Sequence, residues 1–452
     1  MADTNGGALS ADSTSQSISK ITLTPVSTGD RIELVDILRG LALLGILMIN
    51  IEYFAHPSPV LFYPPVSGGF EGLNLLFWKF TYIIFHQKMM GIFAMLFGAG
   101  LVLMFEKARK LGSDKFAGIW YRRMLWLGLF GIIHAYFIWL GDILFPYAIC
   151  GLILYPLRRL SARWLLIWGI IVFMIGVGIS FGTGHLFEYM KKQKVVVAEA
   201  EAAGETPPPM AAEMARNWDN ILRDMVPTPE KVRPEIEARR GGYWEMTKYF
   251  FPITLASQTM SFIYYIIWRV LGTMLIGMAL MKSGVFTGQK SFKFYAILMI
   301  IGYGLGLPLA GYGAGQLMAH GFDPAYSMRA GMLYDHMGGL FVSLAHVSLL
   351  IFIYRFGYMK WLTRRLAAVG RTAFSNYLFT SLVMGFIFYG IGLGLFARIE
   401  KFYLLFFVLG MWIIQLIISP LWLSRFRFGP LEWLWRTLTY KKAPSMKINT
   451  GT

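Results

Sequence analysis

Cysteine is almost absent from this chain, which contains one in 452 residues. That residue, Cys150, lies inside an apolar segment, so the sequence predicts neither an intrachain disulfide nor a cysteine metal site. Histidine is also scarce, with seven in all. His336 and His346 are ten residues apart, whereas a two-histidine helical metal site needs a spacing of three or four. We therefore expect no metal.

Acidic residues are in the minority, because 25 Asp and Glu stand against 42 Lys and Arg, for a net charge of +17. A basic balance is common in nucleic-acid-binding proteins. Here, however, most of the positive charge lies in short loops between apolar runs. The enrichment of Lys and Arg in cytoplasmic loops of membrane proteins explains that placement, and we expect no nucleic acid partner.

Charged residues as a whole make up 15% of the chain, whereas 56% is hydrophobic and the mean hydropathy is +0.53. These values predict an all-α polytopic integral membrane helix bundle in contact with membrane lipids, with about ten transmembrane helices. Alternating basic and poorly basic loops place both termini in the cytoplasm. The predicted spans are residues 34–54, 89–105, 124–140, 143–157, 164–184, 257–281, 294–312, 333–354, 374–391 and 404–423. A helix up to residue 85, broken by His86-Gln87-Lys88, precedes the second span.

Composition divides the chain into five parts. Trp218, Ile221 and Leu222 stand at near-helical spacing and predict amphipathic helices over the outer surface. The Trp and Arg residues near the C-terminus are typical of a helix at the headgroup level. The parts are a flexible cytoplasmic tail (1–30) without the apolar core of a signal peptide, N-terminal membrane helices (31–184), a polar extracytoplasmic segment (185–248), C-terminal membrane helices (249–423), and a cytoplasmic interfacial helix and tail (424–452).

The first span has charged residues at its mouth, where they are costly unless they face protein or a water-filled cavity. Asp36 and Arg39 are one helical turn apart and can form a pair. Asn50 lies about 21 Å further along the same face, at 1.5 Å per residue. These three residues either line a polar path or only anchor the helix at the headgroups, and the sequence leaves both interpretations open.

Two histidines are candidates for chemistry. His134 lies in the middle of the third span, and Asp142 follows eight residues later. Eight residues of helix separate two side chains by about 12 Å, so contact requires the helix to break at Gly141. A buried histidine either bonds to a carbonyl or acts as a general base. His56, just beyond the outer end of the first span, is either a base that meets an external substrate or an ordinary loop residue.

Two cations lie where a substrate could pass. Arg269 is predicted near mid-membrane and needs an anionic partner, either Asp142, Glu52 or a bound anion. Lys88, near an outer mouth, either contacts an anionic headgroup or substrate, or extends to the membrane surface. Glycines within the spans are expected to allow close helix contact. They are Gly98, Gly100, Gly178, Gly182, Gly272, Gly277, Gly302 and Gly306.

Several motifs together resemble the YeiB-like family of membrane proteins, whose C-terminal half is a domain of unknown function. The resemblance extends over nearly the whole chain apart from the N-terminal tail and residues 185–248. The matching motifs are Asp36-x-x-Arg39-Gly40 with Asn50, KMMGIFAMLFGAG at 88–100, Arg122-Arg123 leading to His134, Gly141-Asp142-Ile143-Leu144 with Tyr147, GRTAFSNY at 370–377, and FGPLEWLWR at 428–436.

The first span is also similar to the opening helix of a wider set of membrane acyltransferases, which includes the lysosomal heparan-alpha-glucosaminide N-acetyltransferase and bacterial sugar O-acyltransferases. The resemblance implies transfer of an acyl group from cytoplasmic acyl-CoA, such as acetyl-CoA, to an extracytoplasmic sugar, amine or lipid acceptor, using a histidine. In the O-acyltransferases that histidine closes the first span, where this chain has Asn50. In the heparan enzyme it comes slightly later, and His56 is nearest here. The resemblance places the chain in a bacterial cytoplasmic (inner) membrane, and its glycine- and aromatic-rich spans would permit the homodimer common in that set.

On this hypothesis His134 or His56 is the general base and Asp142 orients it, while Asn50 or Lys88 stabilises the oxyanion. The alternative hypothesis is a transporter or permease for a small anionic or lipid-like molecule, with Arg269, Asp142 and His134 along its path. A non-catalytic membrane protein is a third. The residues expected to hold the donor, chiefly by arginine contacts to its phosphates, are Arg31, Asp36, Arg39, Arg122 and Arg123.

Overall fold

A computed structural model describes residues 32–448, and in that range the chain is helical without a β-strand. The predicted all-α membrane helix bundle is confirmed. Two π-helical segments, Ser257–Ile266 and Ser327–Gly331, interrupt otherwise continuous helices. The helices are α1 (Glu33–Ala55), α2 (Gly72–Ile84), α3 (Lys88–Lys110), α4 (Phe116–Phe137), α5 (Leu144–Leu157), α6 (Ala162–Ala202), α7 (Pro209–Met225), α8 (Pro229–Arg240), α9 (Tyr243–Ala256), α10 (Ile267–Lys282), α11 (Phe292–Ala319), α12 (Pro324–Tyr326), α13 (Met332–Arg355), α14 (Lys360–Arg371), α15 (Ala373–Phe388), α16 (Leu404–Leu423) and α17 (Pro430–Tyr440).

Helices of membrane-crossing length and apolarity account for most of the described chain, and the protein is an integral membrane protein. Two further apolar helices, α5 and α15, are shorter. The total of ten spans and the location of the termini stay predictions. The seven helices long and apolar enough to cross are Glu33–Ala55, Gly72–Lys110, Ala162–Ala202, Tyr243–Lys282, Phe292–Ala319, Pro324–Arg355 and Lys401–Leu423.

The predicted break between the second and third helices is confirmed. α2 ends at Ile84 and α3 begins at Lys88, so His86 lies in the connection. Gln87 adopts a left-handed backbone conformation with φ of 64°, which is uncommon for a residue other than glycine. The break exposes side chains of this connection to the interior of the bundle.

The part boundaries expected at residues 184 and 248 lie inside continuous helices. α6 runs on to Ala202, and the helix that contains α9, the π segment and α10 begins at Tyr243. The amphipathic helix expected around Trp218 is present as α7. Trp218 is 3% exposed and packs against Met190 of α6.

Close helix packing at glycines is confirmed for part of the predicted set. A Cβ atom on Gly98 or Gly277 would overlap the backbone of the facing helix, so α3 and α10 depend on both glycines. Gly272, Gly302 and Gly306 are similarly crowded. A Cβ atom on Gly100, Gly178 or Gly182, by contrast, would meet no atom of a facing element within 4 Å, so for these three the prediction is wrong. Gly40 and Gly370 bring α1 and α14 into backbone contact.

Candidate functional site

A cavity of about 1650 Å³ lies between α1, α3, α4, α5 and the helix that contains the π segment. At one end it is lined by Lys107 and Lys110 near the end of α3, and at the other by Gln87 just before α3 begins. From Gln87 to Lys107 the chain covers about 30 Å at helical rise, which is about the thickness of a membrane hydrocarbon core. The middle is largely apolar and aromatic, with Phe93 and Phe97 in the wall.

Four arginines line the basic end of the cavity: Arg39, Arg123, Arg371 and Arg436. Arg39 donates to Asp36 at 2.8 Å, which confirms the predicted pair. The other three form no ion pair with a carboxylate within residues 32–448. The Nε of Arg371 is buried and has no hydrogen-bond partner in that range. Cations therefore exceed carboxylates at this end.

The C-terminal helix α17 closes the basic end by packing on α4. The indole of Trp435 donates to the carbonyl of Arg123 at 2.9 Å and stacks on the Arg123 guanidinium at 3.5 Å. Arg122 donates to the carbonyl of Thr439 at 3.0 Å and does not line the cavity. Arg122 thus anchors the helix that carries Arg436, and α17 forms part of the cavity wall. Its position at the membrane interface stays a prediction.

Glu432 of α17 ties this wall to the start of α15. Its carboxylate accepts hydrogen bonds from the backbone amides of Phe374 at 2.7 Å and Ser375 at 3.2 Å. Burial raises the pKa of Glu432, although the hydrogen bonds from Ser375 and Phe374 oppose the rise. Burial lowers the pKa of Arg436. The opposite shifts reflect the cost of keeping both charges out of water at this end of the bundle.

His134 and Asp142 are in contact, at 2.9 Å between Nδ1 and Oδ1. The contact was expected only if the helix broke at Gly141, but α4 already ends at Phe137 and the chain folds back. The Nε2 of His134 lies 3.0 Å from the Ser381 hydroxyl. The three residues have the connectivity of a Ser-His-Asp triad.

Two of the three residues, His134 and Ser381, are sealed from the cavity. His134 is 0% exposed, Ser381 is 2% exposed, and neither lines the cavity. Both nitrogens of His134 are engaged, and the second oxygen of Asp142 accepts from the Phe145 amide at 2.8 Å. Asp142 itself lines the cavity, next to Tyr377. The arrangement holds the start of α5 against α15 and presents no free base to a substrate.

His56 is buried against the connection between α15 and α16. Its Nε2 lies 2.9 Å from the carbonyl of Ile399, so Nε2 is the protonated nitrogen, and its Nδ1 has no partner in the described range. Burial, and then the nearby Lys401, lower the pKa of His56 to about 3. His56 does not line the cavity, whereas Asn50 does. Arg31 lies outside the described residues.

Arg269 and Lys88 belong to a buried network behind the cavity wall, and neither lines the cavity. Arg269 was expected to pair with Asp142, Glu52 or a bound anion. Glu52 pairs instead with Lys401, and the carboxylate that acts on Arg269 is Asp335. The two carboxylates named from the sequence were wrong because α3 packs against both α10, which carries Arg269, and α13, which carries Asp335. Lys88 is 0% exposed, donates to the carbonyl of Tyr82 at 2.9 Å and lies 3.6 Å from Asp335.

One histidine that the sequence did not single out for chemistry lines the cavity. All seven histidines are in the described range, and His86 is the one in the cavity wall. Its Nδ1 lies 3.2 Å from Oδ1 of Asp335, and its ring stacks on Tyr82 with centroids 5.0 Å apart. The signal for this site was the polar His86-Gln87-Lys88 interruption of a long apolar run. Its partner could not be identified from one sequence.

The chain is similar over most of its length to two bacterial proteins. The uncharacterized protein YeiB of Escherichia coli (strain K12) is 30% identical over 426 residues, which cover 90% of this chain and 96% of the relative. The uncharacterized protein YxaH of Bacillus subtilis (strain 168) is 29% identical over 92% of this chain and 96% of its own length. Residues 280–442 match a family described as a protein of unknown function, DUF418. No solved structure matches the chain.

Proposed function

The chain belongs to the YeiB family, and from its cavity we propose that it transfers an acyl group across the membrane. The donor is acyl-CoA bound at the basic end, and the acceptor is a sugar, amine or lipid at the outer end. The cavity would let the two substrates meet without either of them crossing the bilayer.

The observation that carries this proposal is the set of unpaired cations at one end of the cavity: Arg123, Arg371 and Arg436. All three are half-buried, and a cation partly removed from water favours an anionic partner. Guanidinium groups bind phosphates in a bidentate way. Acyl-CoA has its phosphates at one end and its thioester at the other. The elongated, apolar cavity beyond the arginines suits the remainder of such a molecule. Pockets for drug-sized ligands measure about 300–1,000 Å³, and this cavity, at about 1650 Å³, has room for a longer one.

The far end of the cavity suits the acceptor and the developing charge. Tyr53, Ser58 and Glu235 line it and offer hydroxyl and carboxylate groups to an acceptor hydroxyl or amine. Asn50 also lines the cavity, and its amide is the group we assign to stabilise the oxyanion, in the way that preorganised donors do. The transporter hypothesis required a path along Arg269, Asp142 and His134. Of these, Asp142 alone lines the cavity.

The test is acyl-CoA binding measured by thermal unfolding of the purified protein in detergent. At 100 times the dissociation constant, a ligand stabilises by about 2.7 kcal/mol, so acetyl-CoA and longer acyl-CoA should raise the unfolding temperature. Arg371→Ala should lose most of this rise. Arg109→Ala is the matched control, because Arg109 lies at the same end but away from the cavity, 68% exposed and paired with Glu106.

Two results would count against donor binding at this site. One is the lack of any rise with acyl-CoA in the unmodified protein. The other is an equal rise in Arg371→Ala and the unmodified protein, which would place the donor elsewhere.

A further inference from the structure

We propose that His86 is the acid–base group of the acyl transfer and that Asp335 positions it. This inference rests on the proposed function, and it moves the chemistry from His134 and His56 to a histidine that substrate can reach. It also places the reaction near the outer end of the cavity. The basic residues at the end of α3 lie about 30 Å away along that helix.

The geometry of His86 is that of a histidine oriented by a carboxylate with its other nitrogen left free. Nδ1 faces Oδ1 of Asp335 at 3.2 Å, and Nε2, on the other side of the ring, has no hydrogen-bond partner in the part of the chain that the structure describes. The side chain is 23% exposed and lines the cavity. Tyr82 stacks nearly parallel to the ring, at an interplanar angle of 13°, and restricts its rotation.

Asp335 is anchored well enough to orient the ring. It is 2% exposed, and Lys88 lies 3.6 Å from the same oxygen that faces His86. Lys88 is fixed in turn by the carbonyl of Tyr82, and Arg269 acts on the carboxylate from α10. The carboxylate therefore has two buried cations beside it, and His86 is the group through which this network reaches the cavity.

Two unsatisfied acceptors mark the same place. The second oxygen of Asp335 and the side-chain oxygen of Gln87 are buried without hydrogen-bond partners in the described range. Buried polar atoms are rarely left unpaired. Gln87 also holds its left-handed conformation at the cavity wall, and backbone strain of this kind is concentrated at functional sites.

In the proposed transfer, His86 alone carries the proton from the acceptor to the leaving sulfur. Nε2 accepts the proton of the acceptor hydroxyl or amine while its oxygen or nitrogen bonds to the thioester carbonyl carbon. The tetrahedral intermediate then collapses, the carbon–sulfur bond breaks, and Nε2 returns the proton to the sulfur of CoA. The products are the acylated acceptor and free CoA, and the Asp335 carboxylate stabilises the imidazolium between the two steps.

The test does not require the acceptor, because diethylpyrocarbonate acylates accessible neutral imidazoles. In the purified protein the reagent should modify His86, and acetyl-CoA should slow that modification. His185 and His320 are exposed, so they should react at the same rate with and without acetyl-CoA and serve as internal controls. His134 and His56 are buried and should remain unmodified. Modification at each site is measured by peptide mass spectrometry.

The role of Asp335 is tested by Asp335→Asn, which keeps the shape of the side chain and removes its charge. Modification of His86 should slow in this variant, while His185 and His320 react as before. If Asp335→Asn does not fold, protection of His86 in the unmodified protein still decides the proposal.

The outcomes separate this inference from the proposed function. Acetyl-CoA that raises the unfolding temperature and protects His86 supports both. Acetyl-CoA that raises the unfolding temperature but leaves the reaction of His86 unchanged overturns the role of His86 and retains donor binding. Failure of acetyl-CoA to bind overturns the proposed function, and the role of His86 with it.

Discussion

At the scale of single residues, His56 and His86 differ in whether the ring nitrogen without a hydrogen-bond partner faces the cavity. His86 lines the cavity and His56 does not. His56 has one nitrogen bonded to a carbonyl and one facing the interior, and burial lowers its pKa to about 3 from an ordinary value of 6.5. The proton is thus bound more tightly in the unfolded chain than in the folded one. The contribution of neutral His56 to the free energy of unfolding is fully present above pH 6.5. It is lost progressively as the pH falls from 6.5 toward 3.

His56→Gln should remove this acid sensitivity. Glutamine retains a donor for the Ile399 carbonyl but has no titrating group, so the decline of about 1.4 kcal/mol per pH unit below 6.5 should be reduced. The measurement is the unfolding temperature between pH 7 and pH 4.5. His320→Gln, at an exposed site, should leave the slope unchanged. An unaltered slope in His56→Gln would show that other groups set the acid limit.

Predictability from the sequence falls with the distance in sequence between the partners. Asp36 and Arg39 were paired correctly because one turn of helix fixes their separation. His134 and Asp142 depended on where α4 ends, which a periodic apolar pattern does not determine. His86 and Asp335 are 249 residues apart, and only the packing of α13 on α3 brings them together.

Among the helices, α1 and α14 form the tightest pair at the basic end. Gly40 faces the carbonyl of Leu366, and Gly370 faces the carbonyl of Asp36. Arg39 directly precedes Gly40, and Arg371 directly follows Gly370. This contact therefore sets the spacing between the two arginines. The two arginines therefore share one rigid frame.

Gly40→Ala should force α14 away from α1, because its Cβ would overlap a backbone atom that cannot move alone. Overpacking of this kind costs about 1–3 kcal/mol, so the unfolding temperature should fall and the rise caused by acyl-CoA should shrink. Gly178→Ala on α6 is the control, since no atom lies within 4 Å of the new methyl group. It should be neutral or stabilise by up to about 1 kcal/mol. Equal effects of the two changes would contradict the role of the contact.

Helix ends were predicted well where the backbone cannot continue as a helix. They were predicted poorly where the sequence only changes from apolar to polar residues. Gln87, in a left-handed conformation, stops one helix before the next begins. By contrast, residues after Gly184 are rich in Lys, Glu and Ala, which favour helix in water, so α6 continues to Ala202 although it leaves the apolar region.

At the scale of the whole molecule, the polar segment is held over the end of the cavity that lies away from the arginines. Glu235 of α8 accepts hydrogen bonds from the Ser58 amide at 3.0 Å and from its hydroxyl at 2.6 Å. Arg239 lies 3.3 Å from the same carboxylate, packs over Phe250 at 4.2 Å and donates to Tyr389. The segment thus joins both halves of the bundle.

Glu235→Ala should release this closure. Ser58 and Arg239 would lose their shared acceptor, and leaving a buried donor such as that of Arg239 unpaired costs about 1–3 kcal/mol. Hydrogen–deuterium exchange should therefore speed up in α8 and around Ser58. Glu237→Ala, which removes an exposed partner of Arg233 on the same helix, is the control and should leave exchange unchanged. Exchange that is equally slow in both variants would show that the aromatic contacts of Arg239 hold the segment alone.

The fold class was predictable because apolar runs and basic loops report directly on the membrane. The cavity was not, because it depends on which helices diverge and which touch. Arg39, Arg123, Asn50 and Asp142 were singled out from the sequence and do line it, whereas His134, His56, Arg122, Lys88 and Arg269 lie behind its wall. Their roles in binding or catalysis stay predictions.

The unpaired arginines also have a consequence for the abundance of the protein in a cell. Arg123, Arg371 and Arg436 cost stability while no anion neutralises them, and an anion that binds only the folded form recovers that stability by mass action. Proteases remove unfolded chains, so a difference of 1–2 kcal/mol changes steady-state levels several-fold. On the proposed function, in which acyl-CoA is this anion, the lifetime of the protein should lengthen when acyl-CoA is plentiful and shorten when it is depleted.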